Sequence, residues 1–467
     1  MSESEILRAH SRAKYFLTLV EEELQKKYGK PLADCTIYIE EQQLYFRWLD
    51  EGQPWLAVSW QELLLPNHKQ ILYKAFIQAT GVPDFPWGSL QGVRPGKLVR
   101  DWMNQGLTEA EGVTKLEESY FVEPERAKLL GEIVTRQRSV LAKVQGTVGI
   151  YIGIPFCPSR CLYCSFPGEV LPARSGEMES FWQFMKRDIQ DAAQWIKKHK
   201  KKLSTIYIGG GTPTTLSLPI LTELFELLHH EFDLSVLNEF TLEAGRPDTI
   251  TPENMKLARE FGVDRISVNP QTMQQRTLKR IGRTHSVQSI EKAVEIVRAN
   301  HFKALNMDLI AGLPGEQTED LIDSIEKIIR FSPENITLHA LALKRGSRWL
   351  EDQENKPSAE VVRSMIESGR TKIISLNYQP YYLYRQKNSP GRMENVGYGL
   401  ESFESIYNIQ MMEETHTIIG IGPGAATKKV TNHGKMYHYH FPKDRIAYQS
   451  TLDACLKRRL EVLEKDE

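Results

Sequence analysis

Hydrophobic positions fall into two regimes along this chain. In residues 5–29, Phe16, Leu17, Val20 and Leu24 share one face at helical spacing. Thr36–Glu40, Leu44–Leu49 and Trp55–Trp60 then read as strands, and residues 68–80 as a second helix. Pro83, Pro86 and Pro95 break the pattern before charged helices over 97–144. These features predict a small α+β domain with a helical connector over 1–145. Beyond it, short β-rich runs alternate with longer amphipathic stretches. The strands are Val148–Ile154, Thr205–Ile208, Phe240–Leu242, Arg265–Val268, Asn306–Ile310 and Ile336–Leu343. The helices are Glu177–Lys197, Pro219–Phe232, Pro252–Phe261, Val287–Ala299, Glu319–Phe331 and Ala359–Leu376. Six βα units in a row predict an α/β fold: a parallel sheet with helices outside, a partial (β/α)6 barrel over 146–376. A C-terminal extension, 377–467, follows.

Composition narrows the picture only a little. A chain of 467 residues exceeds one core and agrees with two or three domains. With 41% hydrophobic and 25% charged residues it is an ordinary globular composition. The net charge of −1 gives no electrostatic reason to expect nucleic acid. The basic run Lys197–Lys202 lies between a helix and a strand and reads as a solvated turn. No apolar stretch is long enough for a membrane span, and the polar, acidic start is no secretory signal, so a cytoplasmic protein is expected.

Chemistry concentrates at the ends of the predicted strands, where barrels of this kind build their sites. Three of the five cysteines, Cys157, Cys161 and Cys164, sit in one loop after the first strand. Thiolates select iron–sulfur clusters and zinc. A closed site would want a fourth ligand nearby, but Ser165 and Phe166 follow and Cys35 and Cys455 lie far away. Three ligands on a four-iron cluster would leave one iron open for chemistry; buried or zinc-bound thiols are the plainer alternative.

After the second strand, Gly209-Gly-Gly211-Thr212-Pro213 lets backbone approach a ligand, or simply makes a tight turn. Glu243 ends the third strand, Asn269-Pro270-Gln271 the fourth, with Arg283 beyond it. Asp308 lies inside the fifth and needs a partner if buried. Two other motifs mimic nucleotide sites. Gly92–Lys97 is one residue too short for a phosphate loop and reads as a turn before a helix. Ile418–Gly424 holds a proline where a dinucleotide fingerprint needs a helix, so a glycine-rich turn over the barrel mouth is expected. Tyr381, Tyr382, Tyr384, Arg385 and Lys387 read as an amphipathic strand, or as a wall whose cations would pair with carboxylates.

The cysteine loop Tyr151–Cys164 resembles that of the radical S-adenosylmethionine (SAM) enzymes. Together with GGGTPT, Arg265–Gln271, Ile281–Arg283, Asn306–Gly315 and Ile418–Gly424, it is similar to the oxygen-independent coproporphyrinogen III dehydrogenases over 147–445. Glu243–Asp248, Tyr381–Lys387, Glu394–Tyr398 and Glu404–Asn408 extend the likeness, to the HemZ branch, over nearly the whole chain. The resemblance implies a [4Fe–4S] cluster on Cys157, Cys161 and Cys164, and one SAM or two. Tyr151, Gly210 and Glu243 would contact the first SAM, with the backbone at Tyr163 against its adenine. Gly211, Thr212, Gln271, Arg283, Asp308 and Ala342 match the second site.

The reaction implied is oxidative decarboxylation of coproporphyrinogen III to protoporphyrinogen IX, in which SAM-derived radical chemistry turns two propionates into vinyl groups. Its partners would be a tetrapyrrole and a reducing electron donor such as a flavodoxin or ferredoxin. Tyr382, Arg385 and Lys387 are the candidate substrate residues. One departure is Phe166, where the dehydrogenases carry a further cysteine; the haem-chaperone branch also has an aromatic there. A haem carrier, or a radical SAM enzyme acting on haem itself, therefore stands as the alternative.

Overall fold

The structure is a computed structural model. It describes residues 3–465 apart from 83–84, 91, 93, 165–167, 173–175, 343–346, 348, 350–356, 386–388 and 432. Phe166, Lys387 and the end of the strand predicted to reach Leu343 lie outside the described residues. The chain divides into two compact units, Met1–Gly131 and Glu132–Glu467.

In the first unit, helix α1 (Glu3–Tyr28) buries Ala9, Ala13, Phe16, Val20 and Leu24, the face its spacing marks out. It precedes an antiparallel sheet of β1 (Cys35–Glu40), β2 (Gln43–Trp48) and β3 (Leu56–Ser59), in that order. Along β2, Leu44, Phe46 and Trp48 alternate into a core completed by Phe76 of α2 (His68–Thr80) and by Phe85. Helix α3 (Gly96–Asn104) begins at the glycine of the phosphate-loop mimic, and a Thr108/Glu111 capping box starts α4 (Glu109–Tyr120). Helix α5 (Pro124–Lys143) spans the division.

The second unit is organised by one sheet. Its parallel strands are β4 (Val148–Ile154), β7 (Leu203–Gly210), β8 (Glu239–Glu243), β9 (Arg265–Ser267), β10 (Ala304–Ala311) and β11 (Asn335–Ala340), neighbours in that order. Between β4 and β7 come the two-residue pair β5 (Phe156–Cys157) and β6 (Glu169–Val170), then α6 (Glu177–Lys198). Helices α7 (Leu218–Glu231), α8 (Pro252–Glu260), α9 (Gln275–Arg280), α10 (Val287–Ala299), α11 (Thr318–Ile329) and α12 (Ala359–Ser375) make the other crossovers. This is a partial (β/α)6 barrel.

The C-terminal segment lengthens the same sheet at both edges. β12 (Gln379–Arg385) and β13 (Glu394–Gly399) add antiparallel beyond β11. After α13 (Ile406–Glu413), β14 (Thr417–Ile421) pairs parallel with β4, and β15 (Ala426–Val430) and β16 (Met436–His440) follow antiparallel, before α14 (Arg445–Leu463). The run expected to be a turn, Ile418–Ile421, is thus a buried strand, and only Gly422–Gly424 turns, at the mouth end of β4. Long-range pairing overrides the local glycine signal. A buried ion pair secures this edge: Arg459 of α14 bonds Asp188 of α6 and the carbonyl of Gly420, while Asp188 accepts from Gly422 N (2.9 Å) and Tyr448 (2.7 Å).

Strand periodicity sorts polar from apolar. In β10, Leu305, Met307 and Leu309 are fully buried in the apolar layer, while Asn306 and Asp308 take the other face. Asn306 donates to Ser267 of β9 (2.8 Å) and accepts from Thr337 of β11 (3.1 Å), so the inward face is a polar column tied across strands. At the N-terminal ends of the strands α13 closes the column. Glu239 of β8 accepts from Ile406 N (2.7 Å) and Ser405 Oγ (2.8 Å) at its N-terminus, and Gln410 accepts from Thr205 (2.9 Å).

Candidate functional site

The cysteine loop is stitched to the loops beside it. Leu162 N donates to Ile281 O (3.0 Å) and Ser159 Oγ to Gly282 O (3.4 Å). From the glycine loop, Gly211 N donates to Ile154 O and Thr212 N to Phe156 O, both at 2.7 Å. Thr212 Oγ1 lies 3.5 Å from Cys157 Sγ. Gly210 sits at φ +108°, and a Cβ on Gly211 would stand 2.5 Å from Phe156 O and 3.0 Å from Cys157 Sγ. Glycine is needed here for close approach to the sulfur as well as for the turn.

Cys161 is buried, Cys157 and Cys164 partly so. Burial pushes the Cys157 thiol up, opposed by Thr212 and by the charges of Arg246 and Arg283. Three thiols spread along one loop, with a backbone cradle and cationic side chains near them, fit the anionic [4Fe–4S] group, which distributes its thiolates over separate irons.

Arg283 is buried and donates to the carbonyls of Asn269 (2.5 Å), Pro270 (3.5 Å) and Gly245 (3.4 Å). Its Nε has no protein partner. Burial opposes its charge, but Tyr163 and Cys161 beside it hold the guanidinium firmly protonated. Tyr163 packs with Leu162 against Ile281, Ile310, Leu313, Leu341 and Trp349, and burial raises its hydroxyl.

A second group lies on the polar column. Glu243, at the end of β8, accepts from the Tyr207 hydroxyl, and burial pushes its carboxyl up to about 7, with Asp308 adding to the rise. Asp308 goes the other way: burial would raise it, but His339 at 3.5 Å and Asn306 at 2.7 Å pull it below the usual range. Gln271 reaches this group through its backbone, at φ +68°, donating to Asp308 O (2.9 Å) and accepting from Ile310 N (2.9 Å). Tyr151 sits deeper, stacked on Tyr207 and Tyr407 at centroid distances of 6.2 and 6.3 Å. Ala342 lies just past β11 and is partly buried.

Of the candidate substrate residues, Tyr382 borders the polar column and Arg385 lies further out. Tyr382 is buried in β12, its hydroxyl 3.4 Å from Thr337 and its ring filling the space over Gly397. Arg385 ends β12, which runs in the direction of β11, so it lies at the mouth end of the sheet. Tyr207, Arg246, His339 and Tyr407 were not singled out from sequence. For Tyr207 and His339 a signal existed: both are polar positions at period two with Thr205 and Thr337 in otherwise apolar strands.

A parallel partial barrel with three cysteines after its first strand and a glycine loop after its second defines a radical SAM protein. The Radical SAM superfamily model matches residues 151–328. The chain is 39% identical over 407 residues to the oxygen-independent coproporphyrinogen-III oxidase-like protein HemZ of Bacillus subtilis, covering 85% of this chain and 81% of that one. It is 30% identical over 293 residues to the heme chaperone HemW of Lactococcus lactis, covering 62% and 73%. Among solved structures it is similar to the coproporphyrinogen III oxidase HemN from Escherichia coli, with a TM-score of 0.55 at 18% identity over 68% of this chain and 72% of that one, a likeness of fold. The chain belongs to the radical SAM superfamily and, within it, to the family of HemZ. Its cofactors are those of that superfamily, a [4Fe–4S] cluster and SAM.

Proposed function

We propose that the protein decarboxylates coproporphyrinogen III to protoporphyrinogen IX, with Cys157, Cys161 and Cys164 as the cluster ligands. The reading divides the chain into an N-terminal α+β domain with a helical connector (1–145), the radical SAM barrel (146–376) and a C-terminal region of the porphyrinogen-oxidase type (377–467). The observation that carries it is the polar column: a barrel filled by Glu243, Asp308, His339 and Tyr207 is built to hold polar ligands, where a merely structural barrel is packed with branched apolar side chains. The relationship to HemZ and the fold shared with HemN support the substrate class.

When bound, the cluster and SAM would supply one-electron cleavage of SAM and removal of a hydrogen atom from a substrate propionate, which would then lose carbon dioxide and pass one electron to an external acceptor to leave the vinyl group. The chain's own residues bind and orient. Tyr151, Gly210 and Glu243 would hold the polar groups of SAM, Glu243 by accepting from its ammonium, with the backbone at Tyr163 beside the adenine. Gly211, Thr212, Gln271, Arg283, Asp308 and Ala342 would frame a second SAM. Tyr382 would line the porphyrinogen side, and Arg385 and Lys387 would pair with propionates. α13 seals the far end of the column from water.

The relationship to HemW favours a second reading, a haem carrier that turns SAM over little. An anaerobic assay of reconstituted protein with coproporphyrinogen III, SAM and a reductant separates them. The proposal requires vinyl product and 5′-deoxyadenosine formed together over several turnovers. Arg385→Ala should raise KM more than it lowers kcat if it only binds a propionate. Stoichiometric haem binding without vinyl product would replace the enzyme with the carrier, and haem consumed with 5′-deoxyadenosine would make haem the substrate.

A further inference from the structure

Cys161, at the centre of the cysteine loop, is approached by a side chain from a different strand end. Arg246, three residues beyond Glu243, is only 3% exposed. Its Nε and Nη2 grip Asp248 as a fork, at 3.1 and 3.0 Å. Nη1 turns the other way, donating to Ser159 O (3.2 Å) and Ser159 Oγ (3.0 Å), and stands 4.0 Å from Cys161 Sγ, the outer limit of an N–H···S bond. Nη2 also reaches Thr284 at 3.4 Å. One guanidinium therefore joins the β8 exit, the cysteine loop and the segment after α9. His285 closes the back of the arrangement, buried and kept neutral by burial and by Arg283 and Arg246, so the fixed charges here are Arg246, Arg283 and Asp248.

We propose that Arg246 is a positioning residue for the cluster: it fixes Cys161 through Ser159 and, by directing a cationic N–H at that sulfur, raises the cluster's reduction potential, with Asp248 holding it in place and moderating its charge. Hydrogen bonds and charge near cluster sulfurs are established levers on potential. A donor to thiolate stabilises the more negative, reduced state. The inference rests on the cluster assignment and is independent of the substrate.

The test is an electron paramagnetic resonance redox titration of the anaerobically reconstituted full chain, without SAM or porphyrinogen. Arg246→Gln that still holds four irons should show its midpoint moved negative by about 59 mV, a tenfold fall in the ratio of reduced to oxidised cluster at fixed potential for one electron. Asp248→Asn should move it positive. A general packing defect has no reason to give opposite signs. If Arg246→Gln fails to hold iron, the Asp248→Asn shift decides alone. An unchanged midpoint in an iron-replete Arg246→Gln protein, a shift of both variants in one direction, or no positive shift in Asp248→Asn would overturn the proposal. None of these results depends on whether coproporphyrinogen III is converted.

Discussion

If Glu243 holds SAM as proposed, binding should expel a proton, at a pH that this carboxyl sets. The carboxyl stands at about 7 against an ordinary 4.5, chiefly through burial, because the barrel interior disfavours the charge. An ammonium is held by the ionised form, so below pH 7 each binding event must first expel a proton. Affinity for SAM should therefore fall about tenfold between pH 8 and pH 6, and level off above 8. A raised carboxyl also acts on the SAM-free fold. The protonated form is the one the fold prefers, so this contribution is complete below pH 4.5 and is lost as pH rises through 7. The loss is about 3 kcal/mol at most, from 1.36 kcal/mol per unit. Calorimetric titration of SAM into reconstituted protein from pH 5.5 to 8.5, with the proton count read from buffers of different ionisation enthalpy, measures the linkage. Glu243→Gln should bind weakly and show no pH slope. A parent protein with flat affinity across that range, or a Glu243→Gln protein with the parent's slope, refutes the assignment of this carboxylate to SAM.

Three further outcomes are expected. If Cys157, Cys161 and Cys164 hold the cluster as proposed, Cys161→Ala should lose about four irons per chain by chemical assay, while Cys35→Ala and Cys455→Ala, in β1 and α14, leave iron content alone. Gly211→Ala should keep the parent circular dichroism but lower cluster occupancy, since its methyl must displace Phe156 O or Cys157 Sγ, an overpacking cost of about 1–3 kcal/mol. Asp188→Ala should destabilise the second unit by about 3–5 kcal/mol in guanidinium unfolding, because it leaves the fully buried Arg459 short of its main partner; adding Arg459→Leu should recover part of the loss.

The six strands and six of the seven helices of the barrel, all but the short α9, were legible because each buries one face locally. Val287–Ala299 shows this as the predicted and observed bounds of one helix, and Val148–Ile154 as those of one strand. The C-terminal strands were harder to read. β14 finds its partner in β4, far back in the chain, and no local pattern records that pairing. The same limit hid Arg246. An arginine in a Gly-Arg-Pro turn carries no sign that it reaches Ser159 and Cys161. Asp308 illustrates the middle case: its strand position demanded a partner, and the chain supplies Asn306 two residues away with His339 and Thr337 on the neighbouring strand.

The placement of the C-terminal strands also has a consequence for biosynthesis. As the polypeptide leaves the ribosome, the six parallel strands emerge with β4 and β11 as bare margins, each offering unpaired amides to any neighbouring chain. β11 is covered once residues 394–399 appear, but β4 waits for 417–421, long after it has itself emerged. Ile154, whose carbonyl the glycine loop uses, lies on that late-sheltered strand. A nascent chain should therefore depend on chaperones until β14 is made, and a chain cut before Thr417 should leave aggregates in place of a smaller working barrel.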